Sequence, residues 1–199
     1  MTLANRRTRL NTPPHDPFPW LVLVTDEARL PDPRAAMERL PPGAGVILRH
    51  YGAEKRRPMA KAVAALARRR RLVLLVAGDW RLAAELGADG LHLPEGMARH
   101  GLLAGALGWV WRRRRLLLVA CHGSLALGRA RDLGAHGALL SPVFPTASHP
   151  GAATIGPVRF GLWARRTRIP VIALGGMTRQ RLRHLPGAAG MAAIGSLLA

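Results

Sequence analysis

The stretch Pro170-Val171-Ile172-Ala173-Leu174-Gly175-Gly176 is an apolar β-type run that ends in two glycines. A short step later, Met191-Ala192-Ala193-Ile194-Gly195-Ser196 does the same. Backbone N–H groups exposed at such turns, with a helix starting behind one of them, form a cradle for phosphate. When the two strands are the last of a (β/α) barrel, they stand where that fold repeatedly builds its phosphate site. The pair therefore predicts both an architecture and a phosphorylated small-molecule ligand.

Working outward, short apolar runs alternate with helix-length Ala/Leu/Arg segments. Candidate strands fall at residues 20–25, 45–49, 72–76, 90–93, 116–121, 138–141, 171–174 and 191–194. Runs that are short and apolar at most positions read as buried parallel strands. Eight of them close a barrel, so the expected class is α/β, a small (β/α)8 TIM barrel. A degenerate repeat supports this: Leu86-Gly87-Ala88-Asp89-Gly90, Leu133-Gly134-Ala135-His136-Gly137 and Pro186-Gly187-Ala188-Ala189-Gly190. The first glycine of each suits the left-handed residue that stops a helix, and the second suits a tight entry into the next strand. Residues 1–17 read as a basic flexible arm, and 18–199 as a single barrel domain. Only Leu197-Leu198-Ala199 follow Ser196, so the last barrel helix is expected to be nearly absent. The apolar surface it would cover makes a homodimer a reasonable expectation.

Composition narrows the classes further. The 199 residues hold 30 Lys+Arg against 11 Asp+Glu, a formal charge of +19, with 49% hydrophobic residues and one cysteine. A single Cys121 excludes a disulfide framework and a cysteine-built zinc site, and it fits a reducing, cytoplasmic setting. No apolar stretch approaches a membrane span. The densest basic runs, Arg68–Arg71 and Arg112–Arg115, directly precede apolar runs and so lie where a helix ends and a strand begins. Arginines there complement the negative end of the helix dipole. They are not interleaved with the aromatics that single-strand binding uses for stacking, so the runs read as a solvated basic face and nucleic acid is not the expected partner.

Barrel chemistry lies at the C-terminal ends of the strands. The residues there are Thr25-Asp26, Arg49-His50-Tyr51, Gly78-Asp79, His92 with Glu95, Cys121-His122, the 141–149 segment, and the two glycine turns. Arg49 suits an anion clamp, since guanidinium matches phosphate bidentately. Blander roles are open to several others. His92 reads as a satisfied core histidine and Cys121 as a buried filler. Asp26 either orients Arg49 or caps the following helix, Glu95 reads as a surface residue, and Trp109 and Trp111 read as packing.

Four segments together resemble a known family, the thiamine phosphate synthase and TenI-like thiazole tautomerase barrels. They are Val24-Thr25-Asp26, Gly87-Ala88-Asp89-Gly90-Leu91-His92-Leu93, Ser141-Pro142-Val143-Phe144-Pro145-Thr146, and Ile169 through Thr178. The resemblance implies a cytoplasmic barrel that binds the phosphate of a thiazole phosphate. Its contacts would be Gly175, Gly176, Ile194, Gly195 and Ser196, with Thr146, Ser148 and His149 from the hydroxyl-bearing loop. The synthase reaction joins a pyrimidine diphosphate to the thiazole with magnesium on the diphosphate. Here its Gln-x-Arg-x-Lys strand end reads Ile47-Leu48-Arg49-His50-Tyr51, and its Asn-Asp pair reads Ala77-Gly78, with Asp79 one place on. Its second magnesium carboxylate falls within Pro94-Glu95-Gly96-Met97. Magnesium is thus a cofactor only under the synthase reading, with Asp79 as the candidate ligand. The tautomerase branch implies no metal and places a general acid/base on His122, with Arg49 beside it. Metal-independent tautomerisation is the favoured expectation. Synthase transfer, or a catalytically silent phosphate-binding relative, is the alternative.

Overall fold

The structure is a computed structural model that describes residues 18–51, 56–146, 151 and 153–194. Eight parallel strands close on themselves in chain order. They are β1 (Leu21–Val24), β2 (Gly45–Leu48), β3 (Val73–Ala77), β4 (Gly90–Leu93), β5 (Leu116–Cys121), β6 (Gly137–Leu140), β7 (Val171–Leu174) and β8 (Gly190–Ile194). The helices between them are α1 (Arg34–Glu38), α2 (Arg56–Arg70), α3 (Trp80–Leu86), α4 (Glu95–His100), α5 (Ala104–Arg112), α6 (Ser124–Asp132), α7 (Gly156–Arg166) and α8 (Arg179–Arg183). The expected (β/α)8 barrel is therefore the fold, and each strand starts and ends within one residue of its expected bounds. Followed once around, the pairings return to β1 eight residues further along, the stagger of this barrel class.

Alternation along each strand splits the core in two. Val22, Val24, Ile47, Val73, Leu75, Leu116, Leu118, Leu139, Ile172 and Ala192 fill the barrel. Their neighbours in sequence, such as Leu23, Val46, Leu74, Leu117 and Leu140, pack outward against the helices with Met37, Val63, Leu82 and Phe160. Every even-numbered strand begins with glycine, and two of these positions show why. A Cβ on Gly90 would strike the Leu116 carbonyl of the next strand, and one on Gly137 would stand 2.6 Å from the Phe18 ring that plugs the barrel floor.

Four helix-to-strand corners share one hydrogen-bond pattern. In α3 the Gly87 amide donates to the Ala84 carbonyl and the Ala88 amide to that of Ala83. Gly134 and Ala135 repeat the pair on Arg131 and Ala130. This is the paired closure that needs a left-handed residue, and both glycines have positive φ, 63° and 72°. Arg71 and Arg114 close α2 and α5 in the same way with φ of 54° and 51°, and they are the positive-φ non-glycine residues among those described. The basic runs do more than face solvent. The Arg68 guanidinium donates to the Leu86 carbonyl at the end of α3 (3.1 Å) and that of Arg70 to the Glu38 carbonyl at the end of α1 (2.8 Å). Arginines thus supply donors to carbonyls that the neighbouring helices leave open.

No helix among the described residues is long and apolar enough to cross a membrane. The expected arm, residues 1–17, and the segment 195–199 lie outside the described residues.

Candidate functional site

The C-terminal ends of the strands surround a cavity of about 430 Å³. One wall is the turn after β7. Gly175 and Gly176 have φ of 95° and 59°, where an L side chain is strained. Space forbids a side chain as well: a Cβ would stand 2.9 Å from Pro142 Cα at position 175 and 2.5 Å from the Pro145 carbonyl at position 176. The 142–145 segment lies against this turn, with the Val143 amide on the Leu174 carbonyl (2.9 Å) and the Phe144 amide on that of Gly175 (3.1 Å). Arg181 sits over the Phe144 ring at 4.7 Å and donates to the Gly176 carbonyl. The carbonyls of the turn are thereby engaged, while the Gly175 and Gly176 amides donate to no acceptor among the described residues. Both glycines line the cavity, together with Thr146 and, from β8, Ile194.

The opposite wall starts at β2. Thr25 is fully buried, and its Oγ1 accepts from the Arg49 amide (2.9 Å) and lies 2.8 Å from His50 Nδ1. With the hydroxyl donating to Nδ1, the His50 proton belongs on Nε2, which is buried with no partner among the described residues. Arg49 reaches Asp26 only at 3.5 Å. Asp26 is already occupied by the Arg29 guanidinium (2.8 Å) and the Ala28 and Arg29 amides. The Arg29 side-chain hydrogen bond holds this carboxyl well below the usual range, against the opposing effect of burial. Asp26 thus both caps its own turn and faces Arg49. The Arg49 charge is left weakly compensated at the cavity edge, an arrangement that suits an anion.

Adjacent strands β4 and β5 bring together a pair that sequence reasoning missed. Glu95 is not a free surface group: its side chain is 16% exposed. Its Oε2 accepts from the His122 amide (2.8 Å) and lies 2.6 Å from His122 Nδ1, and Oε1 accepts from Arg99 (3.1 Å). Burial raises the Glu95 pKa as the largest single effect, but the hydrogen bonds from His122 and Arg99 together outweigh it and lower the value. The signal in the sequence was Glu95 two residues past β4 and His122 just past β5. Cys121 is buried, as expected, and burial first, then the Glu95 charge, pushes its thiol up to about 12. His92 is buried, and its pKa is lowered to about 4 by burial and by Arg49. The expectation that it is satisfied fails among the described residues, where its Nδ1 has no partner. Trp109 packs in the core, whereas Trp111 is half exposed.

The described residues do not fit a carboxylate-held magnesium. Asp79 Oδ1 accepts from the Leu82 amide (2.9 Å) as the N-cap of α3, and its other oxygen faces Arg56 at 3.6 Å. Glu95 is committed to His122 and Arg99. Where the resemblance asks for further ligands, Tyr51 Cε1 and Met97 Sδ each lie 3.3 Å from the place of a Gly78 Cβ. Among the described residues no three His, Cys, Asp or Glu side chains form a metal-holding group. A hard cation needs oxygen ligands, and this part of the mouth offers an aromatic ring and a thioether.

Of the residues singled out from sequence, the cavity gathers Arg49, His122, Thr146, Gly175, Gly176 and Ile194. Asp79 does not line it. Ser148, His149, Gly195 and Ser196 lie outside the described residues. Met177, Ala153, Ala192 and Ala193 also line it, and no side-chain chemistry in the sequence marked them.

Fold and mouth together define a (β/α)8 barrel with a pocket lined by a glycine turn at the C-terminal ends of its strands. The family described as Thiamine monophosphate synthase matches residues 21–197. A thiamine-phosphate synthase of Chlorobium limicola is 31% identical over 185 residues, covering 90% of this chain and 86% of the relative. A putative thiamine-phosphate synthase 2 of Aquifex aeolicus is 31% identical over 142 residues, covering 70% and 74%. Among solved structures, a thiamine phosphate pyrophosphorylase from Pyrococcus furiosus superposes with a TM-score of 0.66 at 20% identity, covering 96% of this chain and 88% of that one. The chain belongs to the thiamine monophosphate synthase family.

Proposed function

We propose that this chain acts on a phosphorylated thiazole in the formation of thiamine phosphate. The observation that carries this reading is one cavity lined by Arg49, Thr146 and the Gly175–Gly176 turn, whose two amides donate to no acceptor among the described residues. Charge-assisted hydrogen bonds from such donors hold a phosphate and orient the ring attached to it. The names of the relatives favour the synthase transfer, held above as the alternative, over the tautomerisation that the sequence reading preferred. In a transfer, the Arg49 guanidinium would meet anionic charge at the cavity edge.

A second reading, a metal-independent proton shift on the thiazole, has one specific observation in its favour: the Glu95–His122 pair at the same cavity. Histidine is a suitable proton acceptor near neutral pH. The test is to give the purified protein a thiazole carboxylate phosphate tautomer alone, then thiazole phosphate with the pyrimidine diphosphate, each with magnesium and with chelator. Thiamine phosphate from the second mixture supports transfer, and consumption of the tautomer with chelator present supports the proton shift. If neither is consumed, both readings fail and only the binding role is left.

A further inference from the structure

Both oxygens of Glu95 accept hydrogen bonds from His122 and Arg99, and the way this carboxylate is used determines the state of His122. A carboxylate only accepts hydrogen bonds, so a neutral imidazole 2.6 Å from it at Nδ1 must carry its proton there. Nε2 is then the nitrogen with a lone pair, on a ring that lines the cavity holding the Gly175–Gly176 turn. The same Oε2 also takes the His122 amide, so the carboxylate anchors the main chain and the ring together. Arg99 fixes the other oxygen and restrains the carboxylate plane.

We propose that Glu95 is a positioning residue that locks His122 in its Nδ1–H tautomer and so presents Nε2 as the proton acceptor for a bound phosphorylated heterocycle. This rests on the proton-shift reading and names the residue on which it depends. In the step, the Nε2 lone pair takes a proton from a ring carbon, and the C–H electron pair stays in the ring system. The imidazolium charge faces the Glu95 carboxylate. The same proton then returns to a second ring position, so no oxidant, metal or co-reactant is consumed.

The test uses the full chain labelled with 15N-histidine, read by long-range 1H–15N spectra at pH 8. The His122 signal is assigned by its loss in His122→Gln. The wild type is expected to show protonated Nδ1. Glu95→Ala removes the acceptor, and the isosteric Glu95→Gln offers an amide that also donates, so both should shift His122 toward the Nε2–H form. In Glu95→Gln, kcat for the proton shift should fall about tenfold or more with KM within about twofold, since general acid–base groups contribute roughly 10²–10⁴. A wild-type ring protonated at Nε2, a tautomer unchanged in both variants, or an unchanged kcat overturns the proposal. The tautomer is read without turnover. A chain that shifts no proton on the thiazole therefore sinks the proton-shift reading separately from the lock.

Discussion

Arg71→Gly is expected to stabilise the fold. Arg71 closes α2 at φ 54°, and an L residue in that region costs about 1–2 kcal/mol. Glycine removes this strain but adds roughly 0.5–1 kcal/mol of chain entropy to the unfolded state. Arg71 is exposed, and its corner is made by backbone groups alone: its amide on the Arg68 carbonyl, the Leu72 amide on Ala67 and the Gly43 amide on its own carbonyl. Its exposed side chain makes no hydrogen bond or ion pair among the described residues that would offset the gain, so the net is about 0.5–1 kcal/mol. For a chain of this size that is a rise in Tm of about 1–4 °C. Arg114→Gly, at φ 51° and with the same closure, should match it, and the two should add because they lie in separate corners. The assay is urea and thermal unfolding followed by circular dichroism. Arg71→Ala is the control: it removes the same charge but keeps Cβ. A gain in Arg71→Ala equal to that in Arg71→Gly would show that charge relief, not backbone strain, is responsible. No gain in either glycine variant would refute the corner assignment.

Two further consequences concern stability. His92 has its pKa lowered from 6.5 to about 4, so as pH falls between those values the unfolded chain binds a proton that the native chain excludes. The stability linked to it is fully present above about pH 6.5 and is lost on acidification. Urea midpoints at pH 7 and pH 5 should differ less in His92→Leu than in the wild type, and equal differences would reject this. Gly90→Ala should destabilise by about 1–3 kcal/mol, because its Cβ meets the Leu116 main chain. Gly128→Ala, within α6 and with nothing within 4 Å of the new Cβ, should stabilise by about 0.5–1 kcal/mol. Chemical denaturation reads both, and reversed signs would undo the packing assignment.

The strands were legible because burial on both faces demands continuous apolar runs, and nothing else in the chain looks like Val73–Ala77 or Leu116–Cys121. Gly87 and Gly134 were legible because glycine is the usual residue at a left-handed helix stop. Arg71 and Arg114 were not, since inside a run of four arginines the charge hides a backbone requirement that is indifferent to side chain. At the mouth, Gly175, Gly176, Arg49 and His122 declared their chemistry by residue type and by their place after a strand. Glu95 did not, because a glutamate at the start of a helix is ordinary, and only the neighbouring positions of β4 and β5 join it to His122. The Thr25–His50 bond was hidden for the same reason: its partners are 25 residues apart and meet only when β1 pairs with β2. Asp79 illustrates the converse, a carboxylate near a lost ligand position that serves as a helix cap.

Assigned 1H–15N spectra of the chain, recorded while thiazole phosphate or its unphosphorylated alcohol is added, ask whether the turn after β7 receives the anion. The Gly175 and Gly176 amide protons should move downfield with the phosphate ester and stay in place with the alcohol, as new charge-assisted hydrogen bonds require. Should those two resonances stand still while others respond to the ester, the phosphate sits elsewhere and the functional reading built on this turn is wrong.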